Sequence, residues 1–136
     1  MTDQALYEAM AEEEGLFGFK VRSPYDGEAK YFEEHPEVSG MAAEDDAIVL
    51  NPFVGPDIDL QSVKKNEAFR LLLRKSGVVP EFELTAEQGE GFIGSPYEDD
   101  PESSRATIAG RIYSGDPSAK ATDEQRKWVD QFLLGL

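Results

Sequence analysis

The residues with the most chemical scope sit together in Asn66-Glu67-Ala68-Phe69-Arg70, the one segment that sets charge inside an apolar helical pattern. At 100° per residue, Leu60, Val63 and Leu71 share a face with Glu67 in their midst. Ala68 and Leu72 widen that face, and Phe69 and Leu73 lie almost opposite. A helix that is apolar on most sides belongs inside a domain, so Glu67 is expected to be at least partly enclosed. An enclosed carboxylate is costly unless paired, and Arg70 at i+3 is the nearest partner, with Asn66 or a residue of another element as alternatives. Two roles follow: a buried Glu67–Arg70 ion pair that fixes helix packing, or a carboxylate of raised pKa that works as a general base. No nucleophile, oxyanion motif or metal set accompanies Glu67, so the pair is the preferred reading and no catalytic residue is assigned.

The spacing can be set beside the zincin signature H-E-x-x-H, in which two histidines hold zinc and the glutamate activates water. Here those ligand positions are Asn66 and Arg70, a poor ligand and a non-ligand. A degenerate zincin-like scaffold, or an enzyme using Glu67, is therefore an alternative rather than the expectation. The chain has no Cys and a single His, which removes disulfides, thiolate chemistry and Cys-based metal sites. His35 lies between Glu34 and Pro36 in a polar stretch and reads as an exposed histidine. No P-loop or dinucleotide fingerprint occurs, and the acids do not follow EF-hand spacing. No metal or cofactor is expected.

The elements that would position these residues carry clear end signals. Asp57 or Asp59 caps a helix over 59–76, and Ser76-Gly77 ends it after Arg74 and Lys75. Ala47-Ile48-Val49-Leu50 ahead of it reads as a buried strand. Thr85 with Gln88 and Thr122 with Gln125 are capping boxes, the first opening a short helix anchored by Phe92 and Ile93. Asp100-Pro101 opens a helix to Ser114 that buries Ile108, Ala109 and Ile112, and Gly115-Asp116-Pro117 stops it. Trp128, Val129, Phe132 and Leu133 form a core stripe on the last helix.

Toward the N-terminus, Thr2 can cap a helix over residues 3–14. Phe17, Phe19 and Val21 alternate as a short strand, Ser23 to Gly27 is a turn, and a hairpin returning through Ala29 to Phe32 is allowed. Residues 33–46 read as a surface linker. The fold class expected is α+β, mainly helical, a single compact domain of four or five helices with a small β element. Residues 1–46 form an acidic N-terminal region and residues 47–136 a helical core around the central helix.

Charge points to function. The 136 residues carry a net −15, distributed as −10 over residues 1–46, −6 over 47–102 and +1 over 103–136. Such a field repels nucleic acid and anionic membranes and favours a basic protein surface, with fast, salt-sensitive association. Glu12, Glu13, Glu14, Glu33, Glu34, Glu37, Glu44, Asp45 and Asp46 are the candidate interaction surface. The expected role is a non-enzymatic acidic interaction protein with a basic protein partner; the alternative is a DNA mimic that blocks a nucleic-acid-binding protein. No leader segment or membrane span is visible, so a cytoplasmic location is expected.

The combination NEAFRLLLRKSGVVPEFELTAEQ followed by RATIAGRIYSGDPSAKATDEQRKWV resembles small uncharacterised proteins of tailed bacteriophages, over residues 47–133. That resemblance implies a phage or prophage gene product in the host cytoplasm or the virion. It carries no catalytic residues over to this chain.

Overall fold

A computed structural model describes residues 17–54 and 57–135. In chain order the elements are β1 (Lys20–Arg22), α1 (Asp26–Glu34), β2 (Gly40–Ala42), β3 (Ala47–Leu50), α2 (Leu60–Ser76), α3 (Ala86–Glu90), α4 (Pro101–Ser114), a 3-10 turn (Pro117–Ala119) and α5 (Asp123–Leu134). The fold is α+β and mainly helical, with five α-helices and one small sheet among the described residues. The helix expected over 3–14, with Glu12, Glu13 and Glu14, lies outside them.

The sheet has the order β1-β3-β2. β1 runs parallel to β3, with Val21 opposite Ile48, and β2 is antiparallel, with Met41 opposite Val49. All four residues of β3 are buried, which is why the central strand is a continuous apolar run while its neighbours are not.

Two expectations change here. In place of a hairpin through Ala29 to Phe32 the chain forms α1. The Glu28 carboxylate accepts from the Tyr25 N–H at 2.9 Å, and Phe32 is driven fully inside against Ala43, Ala47 and Val49. One deeply buried aromatic on a helix beside the sheet excludes more apolar surface than an edge hairpin would. The stretch 33–46 is not simply a linker either, since it contains β2 and the connection into β3.

α2 is the spine of the molecule. Asp59 accepts from the Gln61 and Ser62 amides, and Gly77, with φ 66°, closes the last turn in the left-handed region that glycine adopts without strain. Leu60, Ala68 and Leu71 pack into the core formed with the sheet, beside Phe19, Val21, Ile48 and Leu50. Phe69 and Leu73 face a second core with Phe82, Phe92, Ile108, Ala109 and Val129. Its all-round apolar character therefore reports burial between two clusters. In the second, Phe92 is the anchor but Ile93 is not, being 68% exposed. Trp128 stacks on Phe132 and meets Phe82 edge-on, as a core stripe does.

α2 and α4 make the main helix-helix contact, and Gly110 sets how close they come. A Cβ there would lie 2.1 Å from Asn66 Oδ1 and 3.0 Å from the Asn66 carbonyl. The Asn66 side chain can turn away, but its backbone oxygen cannot. Gly110→Ala gains helix propensity worth about 1 kcal/mol yet forces the helices apart, and a net loss of about 2 kcal/mol is expected in urea melts.

Candidate binding groove along the central helix

One side of α2 forms the floor of an open groove of about 720 Å³. β2 and its lead-in from Glu37 make one wall, and Tyr97 with the first turns of α4 make the other. β2 can lie against the helix because position 40 is glycine. A Cβ at Gly40 would come within 2.8 Å of a Val63 methyl, 3.2 Å of the Val49 carbonyl and 3.5 Å of Glu67 Cγ.

Glu67 and Arg70 sit in this groove. Glu67 is only 6% exposed, and Arg70 Nη1 reaches both carboxylate oxygens, at 3.3 and 3.2 Å. Arg70 Nη2 donates to the Tyr97 hydroxyl at 2.8 Å, and the guanidinium lies 5.4 Å from that ring's centre. Burial pushes the Glu67 carboxyl up, and the Arg70 charge and hydrogen bonds offset that only in part. Burial pulls Arg70 the other way, but Glu67 and Tyr97 together outweigh it, so the guanidinium is held charged. The two zincin-like positions diverge: Asn66 turns toward Gly110, its Oδ1 buried with no hydrogen-bond partner, while Arg70 turns to Glu67 and Tyr97. No group of three or more His, Asp or Glu side chains able to hold a metal gathers among the described residues.

The candidate acids divide into two sets. Glu33, Glu34, Glu37 and Glu44 are exposed, and Glu37 meets His35, at 3.3 Å. His35 itself ends α1 and lies against the Tyr31 ring, centroids 4.5 Å apart and planes tilted by 33°. Asp45 and Asp46 are also about half exposed, but each meets an arginine. Arg22 binds Asp45 on one side and Glu28 on the other, at 3.0 and 2.6 Å, while its guanidinium covers the Tyr25 ring. Arg74 binds Asp46 and the carbonyl of Ala43, tying the end of α2 to the β2-β3 turn.

Hydrogen bonds from Arg22 hold the Glu28 and Asp45 carboxyls below their usual values. A depressed carboxylate pKa adds stability above its unfolded value, and that stability is lost as pH falls through the folded value. Arg22→Gln is accordingly expected to lower the melting temperature slightly at pH 7, the effect kept small by solvent, and less in acid. Melting curves at pH 7 and pH 3 check this.

Arg22, Arg74 and Tyr97 carry no signal in the sequence as members of these clusters, because Asp45, Asp46 and Arg70 lie 23, 28 and 27 residues from them in turn. Neither family models, curated proteins nor solved structures give a match to this chain. No helix among the described residues is long and apolar enough to cross a membrane.

Proposed function

We propose that this chain is a non-enzymatic interaction protein that binds a partner protein through that partner's basic surface. The observation that carries this reading is that Glu33, Glu34, Glu37 and Glu44 are exposed and, among the described residues, engaged by no Lys or Arg, on a chain of net charge −15. Exposed acids that no Lys or Arg engages cost little in the free protein and attract cations from a distance, which raises the association rate more than the final affinity. Engagement of both Glu67 oxygens by Arg70 supports a positioning role for that pair rather than a general base. The resemblance of residues 47–133 to small phage proteins supports a host-cytoplasm or virion setting.

Affinity capture from host lysate at low and at high salt tests the proposal. A partner retained at low ionic strength should elute steeply as salt rises, and changing Glu33, Glu34, Glu37 and Glu44 together to glutamine should abolish the capture. Salt-independent capture that survives those changes sinks the proposal. If DNA competes the partner off, the DNA-mimic version of the same reading takes over.

A further inference from the structure

We infer that the groove along α2 receives an extended basic segment of a partner protein, which adds to the sheet as a fourth strand beside β2. This inference rests on the binding role proposed above. In the order β1-β3-β2, β2 is an edge. The Asn51 amide donates to the Ser39 carbonyl and the Ala43 amide to the Ala47 carbonyl, so the hydrogen-bonded pairs fall on 39, 41 and 43. Gly40 and Ala42 therefore turn their N–H and C=O groups away from β3. Arg74 reaches the Ala42 carbonyl at 3.5 Å and the Ala43 carbonyl beside it, so the open stretch of this edge is both backbone groups of Gly40 and the Ala42 N–H. Among the described residues nothing pairs with the Gly40 and Ala42 amides; such an edge is a template for another strand, and β2 bears neither proline nor charge.

The groove beside that edge has the dimensions of a strand. Its lining residues on α2 run from Ser62 to Arg74, about 18 Å of helix, which matches roughly five extended residues. An added strand would turn alternate side chains down toward Val63 and Ala106 and the others up past Glu37 and Glu102, both exposed. The groove also carries Arg70 and Arg74, paired with Glu67 and Asp46, and Arg111, so the acids left for basic side chains of the added strand are Glu37, Glu102 and Asp116 against one arginine. A second copy of the chain is a poor occupant, since each brings a net charge of −15, and nucleic acid is repelled for the same reason.

The probe is a displayed library of random linear peptides of about ten residues, selected on the whole protein. The expected winners carry Lys or Arg at alternate positions, and binding one should protect the Gly40 and Ala42 amides from hydrogen exchange. Ala42→Pro removes an outward donor without removing a bond to β3, and it should weaken binding about tenfold. Should that variant misfold, the exchange protection of Gly40 and Ala42 in the parent decides the matter. Peptides that bind without protecting these amides, or a library that enriches nothing, overturn the added strand. The salt-sensitive capture described above can survive that result, so the two ideas fail separately. A concentration-dependent dimer that protects the same amides would make a second copy the occupant and overturn the basic segment.

Discussion

Gln125→Leu is expected to lower stability by about 3 kcal/mol and the melting temperature by on the order of 10 °C. The side chain is 1% exposed and every polar atom on it is engaged. Its Oε1 accepts from the Thr122 amide, closing the capping box of α5, and also from Gln88 Nε2 at 2.8 Å. Its Nε2 donates to the Glu83 carbonyl and to Gln88 Oε1, both at 2.8 Å. Gln88 does the same work for α3, accepting from the Thr85 amide and donating to the Ala119 carbonyl. The two capping boxes thus meet through a paired amide bridge. Leucine fills the volume but strands the Thr122 amide, the Glu83 carbonyl and half of the Gln88 amide, and each unsatisfied buried group costs about 1 to 3 kcal/mol. Gln125→Glu at pH 7 should be nearly as damaging, because a carboxylate has no hydrogen to give to Glu83. Urea titrations of both variants, with Gln88→Leu and the double variant, should show strong non-additivity, since either change breaks the same bridge.

That bridge also shows what could be read in the chain and what could not. Each capping box is local: Thr85 and Gln88, or Thr122 and Gln125, announce a helix start within four residues. Asp59, Gly77, Asp100 and Gly115 mark the ends of α2 and α4 for the same reason, and β3 declares itself as an unbroken apolar run. That the two boxes meet is a tertiary fact with no local signature. β2 is hidden likewise, because Gly40-Met41-Ala42 has no strand propensity and exists through its pairing with β3. α1 is obscured by the turn residues at its start, and the burial of Phe32, with Glu28 accepting from the Tyr25 amide, decides for helix. Within the groove, the i, i+3 spacing of Glu67 and Arg70 is visible in the sequence. Tyr97, 27 residues beyond Arg70, is not. Net charge is blunt in the same way, since Asp45 and Asp46 count in the sequence as Glu33 and Glu34 do, and only the folded chain brings Arg22 and Arg74 to them.

Arg70→Leu should be the most damaging single change in the groove, costing about 3 to 5 kcal/mol at pH 7, and its effect should shrink in acid. Removing one partner of a buried pair leaves the other charge unsolvated, which is worse than losing both. Without Arg70, the carboxylate of Glu67 keeps its burial and loses the cation that binds both its oxygens. The sign of the pH dependence follows from the direction of the shift. An acid whose folded pKa is raised favours the protonated form in the folded state. Its contribution is best below the unfolded value and is lost as pH rises through the folded one. Arg70→Leu raises the Glu67 carboxyl further, so the variant should regain stability as pH falls from 7 toward about 4.5. Glu67→Gln in the same background should restore much of the loss at pH 7 and flatten the pH dependence, because the amide carries no charge to desolvate. If instead Arg70→Leu loses the same stability at pH 5 as at pH 7, Arg70 contributes through Tyr97 and the packing of its stem. Glu67 would then be neutral in the native protein. A groove whose floor is a charged pair and a groove whose floor is a neutral acid present different surfaces to a basic segment, and this titration decides between them without knowledge of the partner.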